Sequence, residues 1–421
     1  ATKLSVVEES GLQRWESGRE LKEHLLSGAD RPLVFRQCLA DVWPDVVREW
    51  SPAGLGRLLG DGETTFKVCP RRDSSEHRRR FRDTETVFET QCLHVRGTFL
   101  DFAEWLESSL EQPHVKKPKT EGNASKTNQK TPPNRLLAYP PPEYWIYADY
   151  KYMINLCEDR PELLRAIDWG PFGFEGRGGA DSTLWAGSDE AYTPCHFDTY
   201  GCNLVAQIWG RKKWTLFPPS DSPHLYPTRV PYEESSVFSQ VNVACPDLER
   251  HPDFASATRC EVVLEAGDVL FVPRQWWHFV ECIETSVSIN TWISLDSDAR
   301  ERVKEAVVRA TIARWIPTAE HTVSNTSDSD CDSSEQQSPY SLWVNPNEEI
   351  FSHQKNLDLL SMTLAECQPP PTEKPRPIIS HGTPTGKPHP LISHRDWVNV
   401  LASDRVVEAV ATTLLERHGR H

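Results

Sequence analysis

The chain has 421 residues, 38% hydrophobic and 25% charged, which is enough apolar material for a large core and more than one domain. No run of about 18 apolar residues occurs, so no transmembrane helix or membrane partner is expected. The formal net charge of −15 argues against indiscriminate nucleic-acid binding, because phosphate contacts are carried by Lys and Arg. Eleven cysteines, an odd number with no Cys-x-x-Cys, indicate neither a disulfide framework nor a zinc ribbon and suit a reducing compartment. The N-terminal Ala1-Thr-Lys-Leu-Ser-Val-Val-Glu8 lacks the apolar stretch of a signal peptide, so the expected location is cytoplasmic, with the nucleus as second choice.

Residues 1–110 read as a mixed α/β part of a catalytic domain. Glu20-Leu-Lys-Glu-His-Leu-Leu26 predicts a short helix ended by Gly28, and Pro32-Leu-Val-Phe35 a buried strand. Trp43, Trp50, Leu55, Leu58 and Leu59 form a helix-rich apolar set with Pro52 in a first turn. Thr64 to Cys69 predicts a strand and Thr98 to Leu106 a helix. Between them Arg71-Arg72 and Arg78-Arg79-Arg80-Phe-Arg82 are interleaved with Asp73, Glu76 and Asp83. That mixture predicts a solvated surface loop first and a substrate or RNA patch second.

Residues 111–135 are Pro, Lys, Thr, Asn and Ser with almost nothing to bury, the composition of a disordered insertion. Residues 136–296 form the expected core: Tyr144 to Ala148 reads as a strand, a helical Pro161-Glu-Leu-Leu-Arg165 follows, and the block from about Thr183 to Leu295, rich in β-branched and aromatic residues punctuated by turn signals, predicts an antiparallel sandwich or barrel. Asn203 to Trp209 and Lys212 to Phe217 flank Gly210-Arg211, and Val262 to Leu264 and Val269 to Val272 flank Glu265-Ala-Gly-Asp268; both connections predict hairpins. Val287 to Leu295 is the final strand. In residues 297–318, Val303, Ala306, Val307, Ala310 and Ala313 give one helical apolar face, to be packed on the core or used at a dimer interface. Residues 319–342 are a Ser-rich acidic run, expected to be disordered and open to phosphorylation. Residues 343–421 read as a helical tail, with pieces at 345–364 and 397–417 around a Pro-rich linker at 369–389.

His196-Phe-Asp198 carries the strongest chemical signal. On an extended backbone residues i and i+2 share a face, so an imidazole and a carboxylate are offered together. A second strand-like run, Gly267-Asp-Val-Leu-Phe-Val-Pro273, leads to His278. Two His and one carboxylate with open coordination positions are the facial triad of non-haem Fe(II) oxygenases. By itself His-x-Asp is weak, since about one is expected by chance in such a chain. His251-Pro-Asp253 reads as a surface loop, and His394-Arg-Asp396 as a helix start before Trp397, because Leu401 stands where a kinase catalytic loop needs Asn. The first tripeptide is set apart by Tyr147, Thr193, Lys212 and Asn290 on neighbouring strand segments. Burying them without a ligand would cost about 1 to 3 kcal/mol for each unsatisfied group, and a dianion with a dication removes that cost.

The text Thr193-Pro-Cys-His-Phe-Asp198, Asn203, Ala206-Gln-Ile-Trp-Gly-Arg-Lys212, Leu216-Phe-Pro-Pro219, Leu225-Tyr-Pro227, Gly267 to Pro273, Trp276-Trp-His278 and Asn290-Thr-Trp292 resembles the Jumonji-C family of Fe(II)/2-oxoglutarate oxygenases, in its factor-inhibiting-HIF-like branch. With the Ser-rich acidic run and helical tail, the pattern is also similar to the family's small-heat-shock-protein-associated branch. The resemblance implies a mainly β fold with flanking helices, a double-stranded β-helix or cupin-like jelly roll with a helical C-terminal extension. It implies Fe(II) and 2-oxoglutarate, with O2, as cofactor and cosubstrates. His196, Asp198 and His278 would be the metal ligands and catalytic centre, and Lys212 the partner of the distal carboxylate, assisted by Thr193 and Tyr147. Asn203 and Asn290 would line the cosubstrate pocket and Trp292 would form a wall. The implied activity is hydroxylation of a protein side chain, with RNA hydroxylation, protein N-demethylation or a low-activity adaptor role as alternatives. A protein substrate, a small heat-shock protein, RNA, and a monomeric or homodimeric state are the partner expectations in that order. The chain departs from the asparaginyl hydroxylase pattern at Thr199-Tyr-Gly-Cys202, one residue longer, and at Val205, where an aromatic ring is expected.

Overall fold

The computed structural model describes residues 8–12, 15–108, 133–230, 236–312 and 351–366, together with 406 and 409. The strands among them are β1 (Glu8–Ser10), β2 (Leu33–Phe35), β3 (Glu63–Pro70), β4 (Leu93–Thr98), β5 (Tyr144–Tyr152), β6 (Thr183–Gly187), β7 (Tyr192–Asp198) and β8 (Cys202–Trp209). There follow β9 (Lys212–Phe217), β10 (Pro227–Thr228), β11 (Ser236–Ser239), β12 (Cys260–Leu264), β13 (Val269–Val272), β14 (Trp277–Cys282) and β15 (Ser286–Ile293). They make a nine-stranded sheet in the order β1-β2-β13-β8-β15-β6-β5-β3-β4 and a six-stranded sheet in the order β10-β11-β7-β14-β9-β12. Among the described strands every pairing is antiparallel except β1 with β2.

From β7 to β9, and again from β12 to β15, the chain changes sheet at every connection. Val34, Val205, Leu270 and Val272 of one sheet meet Trp214, Leu216, Val262, Leu264 and Val280 of the other in a shared core, so the sheets pack face to face. Strands dealt alternately to two facing sheets are a jelly roll. This corrects both expected hairpins: β8 pairs with β13 and β15, and β9 with β12 and β14. The reason lies in the turns. Gly210 has φ +61°, with a hypothetical Cβ 2.0 Å from the Thr285 carbonyl oxygen, while the Gln207 side-chain amide donates to the carbonyls of Trp209 and Gly210. In the other turn the Gly267 N–H donates to Gln207 O, and the Gln207 N–H to Asp268 O. The first turn is thus braced by β8 and pressed against Thr285, and the second is hydrogen-bonded to β8, a strand outside the pair it connects.

The central strands β8 and β15 of the nine-stranded sheet are buried on both faces. Along β8 and β15, Leu204, Ala206, Ile208, Val287 and Ile289 face a helical layer containing Trp43, Trp50, Leu55, Phe99, Phe102 and Trp105. The alternate residues Asn203, Ser288 and Asn290 are also buried and face the space between the sheets. A buried strand with one apolar and one polar face indicates an interior built for something other than hydrocarbon. The helix Pro52–Leu59 starts as its sequence predicts, with the Ser51 hydroxyl accepting from Gly54 N–H and Pro52 in the first turn.

The basic segment is a short helix, Ser75–Arg80, and not a loop, because the Ser74 hydroxyl caps it at His77 N–H. Arg71 is largely buried, held by the carboxylates of Asp189 and Glu190 and by the carbonyls of Pro141, Tyr144 and Asp189. His251 is likewise buried, its ring 4.8 Å from that of Tyr226, where a surface loop was expected. The described residues up to Leu295 belong to one compact unit. In a second unit the helices Asp298–Ile312 and His353–Glu366 pack through Ala306, Ala310, Leu357 and Leu360. Most of the expected insertion, the Ser-rich run, the Pro-rich linker and His394-Arg-Asp396 lie outside the described residues. No helix among the described residues is long and apolar enough to cross a membrane.

Candidate metal centre

His196 on β7 and His278 on β14 are direct cross-strand partners, and Asp198 follows two residues along β7. The ligand atoms of the three side chains lie within 4.8 Å of one another, with the imidazole centroids 4.2 Å apart. Each ring is oriented from behind: Nδ1 of His196 lies 2.8 Å from Pro194 O, and Nδ1 of His278 lies 2.9 Å from Trp276 O. A carbonyl acceptor fixes the proton on Nδ1 and leaves the Nε2 lone pairs facing Asp198. Burial lowers the pKa of both rings to about 4, keeping them neutral. Burial raises the Asp198 pKa, against the opposing pull of His278 and of hydrogen bonds from Trp292 and Asn203. Two neutral imidazoles and one carboxylate converging with an open side are a donor set that fits a divalent transition metal.

The triad opens on a cavity of about 410 Å³. All nine residues singled out from the sequence line it: Tyr147, Thr193, His196, Asp198, Asn203, Lys212, His278, Asn290 and Trp292. Two bulges make this possible. From Thr193 to His196 β7 advances three residues while β14 advances two, from Val280 to His278, so an odd and an even position turn to the same face. Likewise β5 advances from Ala148 to Lys151 while β6 advances from Ala186 to Leu184, which brings Tyr147 and Tyr150 to one cavity.

Lys212 is 1% exposed, and its ammonium donates to Ser288 Oγ at 2.7 Å and to Tyr147 OH at 3.3 Å. Among the described residues no carboxylate pairs with it, and burial lowers its pKa. A buried ammonium held by hydroxyls alone fits a site completed by an anion. Toward the metal ligands, Trp185 Nε1 donates to Asn290 Oδ1 at 2.7 Å, Asn290 Nδ2 to Asn203 Oδ1 at 2.9 Å, and Trp292 Nε1 to Asp198 Oδ2 at 3.1 Å.

Trp214 and Ser288, on the strands expected at 212–217 and 287–295, line the cavity without having been singled out, and sequence reasoning also missed Tyr150, Trp185 and Val280. Tyr150 has φ +51° at a bulge that strict alternation does not foresee, and no Gly or Asn signals it. Trp185 was within reach, because it stands opposite Ser288 on a strand next to β15.

The jelly roll and the converging His-Asp-His set define a class. A family model described as a cupin-like domain matches residues 19–298, and the chain belongs to that family, in its Jumonji-C class. Members of the class generally use Fe(II) and 2-oxoglutarate. Among individual relatives, the chain is 39% identical over 348 residues to "HSPB1-associated protein 1" of Homo sapiens, covering 82% of this chain and 62% of that protein. It is 29% identical over 269 residues to "Lysine-specific demethylase JMJ31" of Arabidopsis thaliana, covering 62% of this chain and 45% of the relative. A third relative, "tRNA wybutosine-synthesizing protein 5" of Danio rerio, is 28% identical over 285 residues, 65% of this chain and 72% of the relative. The chain spans about three fifths of the length of the HSPB1-associated relatives it matches.

Proposed function

We propose that the chain is an Fe(II)- and 2-oxoglutarate-dependent oxygenase that hydroxylates a protein side chain. The observation that carries this reading is the pairing, in one cavity, of an open His-Asp-His set with a buried ammonium that has only hydroxyl partners among the described residues. His196, Asp198 and His278 would hold the metal, and Lys212 with Tyr147 and Thr193 would hold the far carboxylate of the keto acid. When bound, the metal and keto acid supply oxidative decarboxylation coupled to oxidation of a substrate C–H bond. The chain's part is to orient and to exclude water. The carbonyls of Pro194 and Trp276 keep Nε2 of both imidazoles available, Trp292 and Asn203 fix the Asp198 carboxylate, and Tyr150, Trp185 and Trp292 wall the cavity.

The partner we propose is a small heat-shock protein, on the strength of the relatives' name. The RNA reading draws on the tRNA-modifying relative and on the basic segment. In that segment Arg71 is engaged by Asp189 and Glu190, Arg72 by Glu281 at 3.3 Å, and Arg79 by Glu76 at 2.7 Å, so three of its six arginines are already ion-paired. The test is incubation of Fe(II)-loaded protein with 2-oxoglutarate and a proteome, following succinate and peptides heavier by one oxygen. Wild type should form succinate well above the Asp198→Ala variant. Equal succinate from both would leave an adaptor role as the better account, and loss of methyl groups in place of oxygen gain would identify a demethylase.

A further inference from the structure

Most polar side chains around the cavity already have partners within the protein. Trp185 and Trp292 give their indole N–H groups to Asn290 and Asp198, Asn290 donates to Asn203, Ser288 and Tyr147 accept from Lys212, and both Nδ1 atoms face carbonyls. What remains open marks the ligand. The metal face accounts for the two Nε2 atoms and Asp198 Oδ1. Lys212 has donor capacity left, since an ammonium has three protons and two are used.

One further donor stands open. Trp214 is 5% exposed and lines the cavity, and its Nε1 is buried without a hydrogen-bond partner among the described residues. A buried indole N–H left unsatisfied costs about as much as a lost hydrogen bond, so a persistent one calls for an acceptor. Trp214 follows Lys212 by two residues on β9, on the same face and roughly 6.5 Å further along. Its ring centroid is 5.6 Å from that of His278, which puts it at the metal end, while Lys212 stands with Tyr147 and Ser288 at the other. The strand therefore offers two donors in line, one for each end of an elongated dianion.

We propose that Trp214 is a cosubstrate-binding residue, its indole N–H donating to the carboxylate of the 2-oxo acid that sits beside the metal. This rests on the oxygenase reading above and adds to it a second protein anchor, at the end opposite Lys212. The anchor recognises the 2-oxo acid head and not the length of the chain behind it.

The test uses the full chain loaded with Mn(II) in place of Fe(II), with binding followed by calorimetry for 2-oxoglutarate and for 2-oxopentanoate, which keeps the oxo-acid head and lacks the distal carboxylate. Trp214→Phe keeps an aromatic ring and removes the N–H. It should weaken both ligands by about tenfold, the loss expected for a hydrogen bond to a charged group, with Mn(II) affinity unchanged. Lys212→Met should weaken 2-oxoglutarate alone. Undiminished binding of both ligands to Trp214→Phe would overturn the proposal, as would a loss confined to 2-oxoglutarate. Failure of wild type to bind either ligand would instead remove the oxygenase reading beneath it. Should Trp214→Phe not fold, the indole ¹⁵N–¹H resonances of Zn(II)-loaded wild type decide the matter: one should move downfield on adding 2-oxopentanoate, and a spectrum in which none moves contradicts the assignment.

Discussion

Two lysines flank the Tyr147 ring, each with its ammonium 5.3 Å from the centroid and each 1% exposed, yet their surroundings differ completely. Lys67 on β3 contacts Glu89 at 3.0 Å and Asp149 at 2.8 Å. Burial works against its charge, but those carboxylates outweigh it and the pKa stands well above the usual lysine value. Lys212 has hydroxyl partners only among the described residues, and burial pulls its pKa down. Lys67 is thus a completed structural ion group, whereas Lys212 is half of an interaction whose other half must come from a ligand. Burial alone does not distinguish a structural charge from a functional one; the partner list does.

That contrast can be broken by substitution. Lys67→Met would strand two buried carboxylates and should cost about 3 to 5 kcal/mol of stability in urea unfolding, as removal of one partner from a buried ion group does. A loss under about 1 kcal/mol would mean the trio is not the structural element described here. Next in size is the pH dependence of the metal-free protein. The folded-state pKa values of His196 and His278 lie near 4, below the usual 6.5, so between those limits the unfolded chain binds more protons. Stability should therefore fall as pH drops from about 6.5 to about 4, by up to about 3 kcal/mol per ring, and a metal bound to the neutral imidazoles should deepen the fall. An unfolding midpoint flat across that window in metal-free protein would show the rings are not held neutral. The smallest effect belongs to Lys212→Met, which removes a buried charge at the loss of two hydrogen bonds and should leave stability within about 1 kcal/mol of wild type.

The sequence made the site more legible than the fold. His196, Asp198, Lys212, His278 and Asn290 were recoverable because their spacing respects strand alternation and a family pattern repeats it. The expected barrel core matches the sheets, but two of its turns were misread: Gly210-Arg211 and Glu265-Ala-Gly-Asp268 have hairpin-like lengths, and the first is packed against Thr285 and the second hydrogen-bonded to Gln207, both distant in sequence. Tyr150 escaped notice for a related reason. Its place in the cavity is set by a bulge, which shifts the two-residue period without any local residue to announce it. The buried Lys67 trio was equally invisible, since Lys67, Glu89 and Asp149 come from segments that meet only in the folded sheet.

The most direct measurement of the central claim is the unfolding free energy of Mn(II)-loaded protein with and without 2-oxoglutarate, in wild type and in Lys212→Met. At about a hundredfold excess over its dissociation constant, the keto acid should stabilise wild type by roughly 2.7 kcal/mol, and at the same concentration should do little for Lys212→Met. Equal stabilisation of the two proteins would contradict the assignment of Lys212 as the open half of an anion site.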